Sequence, residues 1–121
     1  MPASTGYYEQ TLTTTDGSTA VLFDLPLDDE SGYDCLLEVL GKDQASGDAA
    51  FYTRRFRILR TGGVASFVGS IVTPIPDQLT NGGWGGMSAP SIGGGTDLLI
   101  QVAGMNGVNI DWLVYFEYAE I

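Results

Sequence analysis

The feature that most constrains the fold is the alternation of apolar and polar side chains in the final segment of the chain, residues 108–121. Every second residue there is apolar or aromatic: Ile110, Trp112, Val114, Phe116 and Tyr118. Because residues two apart lie on the same face of an extended strand, the pattern predicts a strand with one buried face. Residues 97–103 are also largely apolar and alternate in the same way. The segment 104–107, which separates them from residues 108–121, is rich in Gly and Asn. We therefore predict that the two strands form a β-hairpin.

The same two-residue period recurs along most of the chain, between clusters of turn-forming residues. Further strands are predicted at residues 7–15, 19–25, 33–42, 50–61 and 64–75. Residues 78–95 are rich in glycine and indicate a loop, in which 87–92 fit a short edge strand. This arrangement is typical of an all-β antiparallel β-sandwich, either jelly-roll or immunoglobulin-like, with about 7–8 strands. We expect residues 1–6 to form a flexible N-terminal arm and residues 7–121 to form a single sandwich domain.

The alternation also predicts the side chains that fill the core. They are Leu37, Val39, Phe56, Ile58, Ile110, Trp112, Val114 and Phe116. Cys35 shares the parity of Leu37 on its strand, so we expect an inert, buried thiol rather than a nucleophile. Because Cys35 is the only cysteine, a disulfide within the chain is excluded.

The charge balance limits the partners that the chain can bind. Fifteen acidic residues against five basic ones give a formal net charge of −10, which repels nucleic acid and anionic lipid headgroups. No apolar run approaches the roughly 20 residues that cross a bilayer, and the first residues lack the basic and apolar regions of a signal peptide. We therefore expect no nucleic-acid partner, no membrane partner, and synthesis in the cytoplasm.

Residues that commonly perform chemistry are scarce. The chain has no histidine, and so it lacks the commonest general base and metal ligand. Four acidic residues lie close together in the sequence: Asp28, Asp29, Glu30 and Asp34. This group is compatible with carboxylate catalysis or with Ca²⁺ binding, but we prefer solvated loop charge as the expectation. We predict a protein that is not an enzyme, with no catalytic residue, no metal and no cofactor.

A tryptophan in the glycine-rich segment is the first candidate for an interface. Trp84 has two glycines on each side, and Met87 follows closely. A tryptophan with so little local packing contacts either its own core or a neighbouring subunit, and both alternatives remain open at this point.

A cluster of arginines is the second candidate. Four of the five basic residues fall within one predicted strand: Arg54, Arg55, Arg57 and Arg60. Alternation divides them between the two faces of that strand. We expect them to pair with carboxylates of neighbouring strands, such as Asp34, Glu38 or Glu117. The alternative is an arginine patch that docks an acidic surface of a partner.

The order of several segments points to a family. They are the Thr-rich first strand, the strand ending near Lys42 and Asp43, and residues 49–54, 60–70, 98–104 and 110–112. In this order they resemble the small β-domains of tail-fibre and virion surface proteins in tailed bacteriophages. The segment 74–92 is longer and richer in glycine than expected in such a domain. The resemblance implies a non-enzymatic part of the virion that is built by symmetric association.

Within this resemblance we favour a capsid decoration, or cement, protein. It would be a homotrimer that binds the major capsid protein or another virion protein and stabilises the outer capsid surface. The expected location is the virion, after synthesis in the host cytoplasm. The alternative is a tail-fibre or receptor-binding knob that recognises a host surface glycan. No heptad or collagen-like repeat precedes the domain, and this favours the cement protein.

Overall fold

A computed structural model describes residues 4–121, and its regular elements are all strands. Their bounds are β1 (Ser4–Thr14), β2 (Thr19–Pro26), β3 (Ser31–Asp43), β4 (Ala49–Thr61), β5 (Val64–Phe67), β6 (Gln78–Leu79), β7 (Gly86–Met87), β8 (Ser91–Gly93), β9 (Asp97–Ala103) and β10 (Ile110–Glu120). Over these residues no helix is long and apolar enough to span a membrane.

The strands form two antiparallel sheets. The large sheet has the order β1-β10-β3-β4-β5, with β6 also paired to β4, and the small sheet has the order β2-β9-β7, with β8 also paired to β9. The apolar faces of the two sheets enclose one core, so the predicted all-β antiparallel sandwich is confirmed. Residues 4–121 contain ten strands, more than the sequence predicts, because β6, β7 and β8 lie in the segment 78–95, where the sequence indicates a loop with one short edge strand.

The predicted hairpin between β9 and β10 is wrong. β9 pairs with β2, β7 and β8 in the small sheet, whereas β10 pairs with β1 and β3 in the large sheet. The segment 104–107 is therefore a corner between the sheets. Alternation shows only that each strand has one buried face. Two such strands bury these faces equally well as neighbours in one sheet or in two sheets that face each other across a core. Here Ile100 and Val102 of β9 and Ile110 and Val114 of β10 are fully buried in the same core.

Two predicted boundaries are also wrong. Residues 4–6 belong to β1 and pair with residues 118–120 of β10, so they are not part of a flexible arm, because β10 supplies their backbone partners. The rest of the predicted arm, residues 1–3, lies outside the described residues. β5 ends at Phe67 rather than near residue 75. Gly69 has a φ of 76°, which is incompatible with continued extended pairing.

The eight predicted core residues are all buried, with at most 2% of each residue exposed. Phe116 lies at the centre of an aromatic group, its ring centroid 5.2 Å from that of Phe23 in the small sheet and 6.4 Å from that of Phe56 in the large one. Cys35 is buried as well, and burial, with a smaller effect of the Asp34 carboxylate, raises the pKa of its thiol to about 12. Little thiolate therefore exists near neutral pH.

Trp112 connects three parts of the molecule. Its indole Nε1–H donates a hydrogen bond to Thr14 Oγ1 at 3.0 Å, which joins β10 to the end of β1. Its ring lies over Gly41 of β3, where a Cβ atom would come within 2.6 Å of the ring. The ring of Trp84 packs against it edge to face, with 5.9 Å between the centroids. This packing requires an acceptor at position 14 and a residue without a side chain at position 41.

We predict that Thr14→Val lowers the free energy of unfolding by about 1–3 kcal/mol, because it leaves the buried Trp112 N–H without an acceptor. Urea denaturation followed by tryptophan fluorescence measures the change. Thr11→Val, at an exposed position of the same strand, is the matched control and should change the free energy by less than about 0.5 kcal/mol. Equal effects of the two substitutions would contradict the importance of this hydrogen bond.

We predict that Gly41→Ala lowers the free energy of unfolding by about 1–3 kcal/mol, because the added methyl group overlaps the Trp112 ring. The control is Gly32→Ala in the same strand, where the nearest atoms to an added Cβ are carbonyl oxygens 3.9 and 4.0 Å away. Thermal unfolding of both variants distinguishes a steric effect from a general effect of replacing glycine. A Gly41→Ala variant as stable as Gly32→Ala would disprove the steric explanation.

Candidate binding face on the large sheet

The face of the large sheet that points away from the core carries exposed and half-buried side chains from four neighbouring strands. The register arranges them in rows across β1, β10, β3 and β4. The rows are Tyr7, Glu117, Leu36 and Arg55; Glu9, Tyr115, Glu38 and Thr53; and Thr11, Leu113, Leu40 and Phe51. We call these residues the outer face. Opposed residues in neighbouring strands are about 5 Å apart, so each row groups side chains of different chemistry.

An exposed tyrosine, Tyr7, and a half-buried one, Tyr115, form an aromatic pair on the outer face. The ring centroids of Tyr7 and Tyr115 lie 6.3 Å apart, and the rings are tilted by 31°. Tyr7 is 59% exposed, and its hydroxyl donates to Glu9 Oε2 at 3.3 Å. Partial removal from water and the neighbouring Glu9 carboxylate raise the pKa of Tyr7 above its ordinary value. Its hydroxyl therefore remains a protonated donor at neutral pH.

Two grooves adjoin the tyrosine pair. The smaller has a volume of about 280 Å³ and is lined by Tyr7, Leu36, Glu38, Tyr115, Phe116 and Glu117. The larger has a volume of about 520 Å³, and its lining includes Gly6, Asp34, Arg55, Glu117 and Ala119. The larger groove is open because the row beside Tyr7 carries the small side chains of Thr5 and Ala119. The large sheet therefore carries the tyrosine pair, several carboxylates and both grooves close together on one face.

This arrangement has the chemistry that binds a sugar ring. The apolar face of a sugar packs against an aromatic ring, and its hydroxyl groups donate hydrogen bonds to carboxylate oxygens. The paired backbones of β1, β3 and β10 hold the tyrosines and carboxylates in position before a ligand arrives, which lowers the entropic cost of binding.

The four arginines do not form one patch. Arg55 belongs to the outer face and Arg57 lies two residues further along the same strand; both are exposed and contact Asp34, with 3.0 Å from Arg55 Nη2 to Oδ2 and 3.7 Å from Arg57 Nε to Oδ1. Pairing with Asp34 is among the contacts that the sequence predicts, whereas pairing with Glu38 or Glu117 does not occur among the described ion pairs. An exposed pair of this kind contributes little to stability.

The other two arginines hold loops against the sandwich. Arg54 donates two hydrogen bonds to Asp77, at 2.6 and 2.8 Å, and so fixes the segment that follows β5. Arg60 donates to the backbone oxygens of Leu27, at 2.6 Å, and Gly63, at 3.2 Å. Both arginines therefore make contacts within the domain, and the interface role that the sequence predicts for them stays a prediction.

Trp84 is buried, so the structure decides between the two alternatives for this residue in favour of the core. Trp84 is therefore a core residue rather than the interface residue that the sequence suggested. The reason is a close approach of the chain: a Cβ at Gly85 would lie 2.6 Å from the Cβ of Ala103 in β9. Met87 is half-buried against the core in β7, opposite Val102.

The acidic loop stabilises a turn. Asp29 Oδ1 accepts a hydrogen bond from Gly63 N at 3.0 Å, and Glu30 Oε1 accepts one from Gly62 N at 2.8 Å. The two carboxylates therefore cap the turn between β4 and β5. Between Ser4 and Ile121, no three His, Cys, Asp or Glu side chains are placed to hold a metal ion.

The sequence alone misses the tyrosine pair. Tyr7 and Tyr115 are separated by most of the chain, and only the pairing of β1 with β10, in which Glu9 lies opposite Tyr115, brings them together. The one available signal is that both tyrosines have the parity of the polar residues in their strands.

Comparison with known proteins finds a similar fold but no similar sequence. No protein-family model matches the chain, and no curated protein sequence is similar to it. The crystal structure of the tailspike protein of Acinetobacter baumannii phage AM24 matches with a TM-score of 0.51 and 11% identity, over 98% of this chain and 26% of the tailspike chain. The tailspike protein of Acinetobacter phage vB_ApiP_P1 gives a TM-score of 0.47 and 17% identity, over 91% of this chain and 21% of that one. The chain thus spans about a quarter of the first tailspike, and the likeness is one of β-sandwich fold.

We predict that Asp77→Asn destabilises the protein at pH 7 by about 1 kcal/mol, because it removes the ionic part of the contact with Arg54. The Arg54 guanidinium holds the pKa of Asp77 below its ordinary value. The stabilisation is therefore complete above the unfolded-state pKa, near 4, and is lost as the pH falls through the lower folded-state pKa. Urea unfolding at pH 7 and pH 3 should show a smaller difference between variant and parent at the lower pH.

The control for this prediction is Asp34→Asn, which affects the exposed pairs with Arg55 and Arg57. It should change the free energy of unfolding by less than about 0.5 kcal/mol at either pH. A difference for Asp77→Asn that grows as the pH falls would contradict the assigned direction of the pKa shift.

Proposed function

We propose that this chain is a receptor-binding β-sandwich domain of a bacteriophage tail fibre or tailspike, located on the virion, and that its outer face binds a glycan of the host surface. The observation that carries the proposal is the aromatic pair of exposed Tyr7 and half-buried Tyr115, beside two grooves and several carboxylates. The similarity of fold to part of a phage tailspike supports the proposed location in a tail fibre or tailspike.

The charges of the site favour a neutral or amine-bearing glycan. Glu9, Glu38 and Glu117 surround the tyrosine pair in two adjacent rows, and the whole chain carries a net charge of −10. A glycan rich in carboxylates would meet electrostatic repulsion here, whereas hydroxyl and ammonium groups would find acceptors. Arg55 is the one cation in these rows, and Asp34 already pairs with it.

The tail role is the better supported of the two roles that the sequence predicts, because a solved structure of similar fold is part of a phage tailspike. Capsid decoration, association as a homotrimer and contact with the major capsid protein stay predictions. Three of the residues that the sequence predicts at a partner interface, Trp84, Arg54 and Arg60, make contacts within the domain.

We propose binding rather than hydrolysis. Asp29 and Glu30 belong to the acidic group that is compatible with carboxylate catalysis in the sequence, but their oxygens accept hydrogen bonds from the β4–β5 turn. A carboxylate used in this way is poorly placed to protonate a leaving group or to activate water. The carboxylates of the outer face serve as hydrogen-bond acceptors in the proposal.

We predict that Tyr7→Ala and Tyr115→Ala each weaken glycan binding about tenfold or more, which corresponds to about 1.4 kcal/mol of lost stacking. The measurement is binding of the purified chain to an array of bacterial surface polysaccharides and to host cells. Tyr7→Phe keeps the ring and should retain most of the affinity. Ile75→Ala, at an exposed apolar residue that is not part of the rows of the outer face, should bind as the parent does.

Two outcomes would overturn the proposal. Unchanged binding in both alanine variants would show that the outer face is not the site. Saturable binding to capsids, without binding to any polysaccharide or cell, would favour the capsid decoration protein instead.

A further inference from the structure

The first strand is an open edge of the large sheet. Ile121 and Gly32 exchange two backbone hydrogen bonds, at 2.8 and 3.0 Å. Backbone hydrogen bonds alternate from side to side along an antiparallel strand, so odd-numbered residues of β10 bond to β3 and even-numbered ones bond to β1. Even-numbered residues of β10 lie opposite even-numbered residues of β1, as Tyr118 lies opposite Gly6. The odd-numbered residues of β1 therefore direct their N–H and C=O groups outwards.

These outward residues are all exposed: Thr5, Tyr7, Glu9, Thr11 and Thr13. Among residues 4–121 no other segment pairs with this side of β1. The edge also has no bulge, since β1 pairs with β10 in a continuous register over its whole length. It contains no proline and one charged residue, Glu9. It thus lacks the features that normally prevent the edge of a sheet from pairing with another strand.

The other edges of the two sheets, in the part of the chain that the structure describes, have such features. Beyond β4 lie β5, β6 and the bridge from Arg55 to Val72, whose two backbone hydrogen bonds are both 2.8 Å long. β2 has a bulge between Val21 and Phe23 and ends at Pro26. On the far side of β9, β7 and β8 have two and three residues. β1 is therefore the edge at which a further strand can add.

We propose that β1 pairs with β1 of a second copy of this chain, antiparallel and about a two-fold axis. Each copy has one open sheet edge among residues 4–121. Strand pairing between two copies therefore uses this edge in both, and this makes the contact isologous. The two large sheets would then form one continuous sheet, and the two outer faces would lie side by side. A homotrimer, if formed, would use other surfaces.

The side chains of β1 select a register. Placing Tyr8 of the two copies on the axis puts Tyr7 opposite Glu9 of the other copy and Thr5 opposite Thr11. The Tyr7 hydroxyl already donates to Glu9 within one strand, so it has the chemistry to donate across the contact. Threonine pairs are favourable cross-strand neighbours. A register with Glu9 opposite Glu9 would place like charges in direct opposition.

Charge sets the conditions for association. Each copy has a net charge of −10, so two copies repel one another at low ionic strength. Added salt shortens the screening length to about 10 Å at 0.1 M. The dimer should therefore strengthen as salt is raised, the reverse of an interface held by ion pairs.

The test is sedimentation equilibrium of the full chain at several concentrations in low and moderate salt. The expected result is a monomer–dimer equilibrium that shifts towards dimer with salt. Thr11→Pro removes an outward N–H, which β10 does not use, and should give a folded monomer by circular dichroism. Gln10→Pro is the matched control, because it removes an N–H that bonds to β10 and should destabilise the fold itself.

A charge exchange tests the register even if the proline variants fail to fold. Thr5→Glu with Thr11→Glu places like charges opposite each other across the contact and should abolish the dimer. Thr5→Lys with Thr11→Glu places opposite charges there and should restore or strengthen it. A chain that is monomeric under all conditions overturns the proposal, as does association that both charge variants leave equally strong.

Discussion

The indole of Trp112 is the interaction on which the rest of the structure depends. Its N–H bonds to Thr14 of β1, its ring covers Gly41 of β3, and Trp84 packs on its edge. The large sheet and the glycine-rich segment are thereby joined at one buried point. A large aromatic ring supplies much of the apolar burial, and its single polar atom has a partner, so the burial is not offset by an unsatisfied donor.

The buried face of the large sheet also determines its outer face. Side chains alternate along each strand, so fixing Trp112, Val114 and Phe116 inside places Leu113 and Tyr115 outside. The register with β1 then brings Tyr7 to Tyr115. The proposed binding site is thus held by the core rather than by mobile loops, which suits the recognition of a rigid sugar ring.

Polar contacts in the loops serve the architecture. Arg54 holds Asp77, and Asp29 and Glu30 cap the turn between β4 and β5. These groups looked most like sites in the sequence, because charged residues clustered there. Their chemistry is instead used to satisfy backbone groups and to fasten long connections, while the tyrosine pair arises from residues far apart in the chain.

The sequence by itself determined the existence of β1 to β5, β9 and β10, their buried parity and the eight core residues, because a two-residue period records directly which side of a strand avoids water. It also indicated an all-β sandwich. Only the tertiary structure decided that β9 and β10 lie in different sheets, that residues 4–6 belong to β1 and that Trp84 is buried. Local alternation is the same for strands that pair and for strands that face each other, so partners and register depend on long-range packing. The tyrosine pair and the open edge of β1 are consequences of that register.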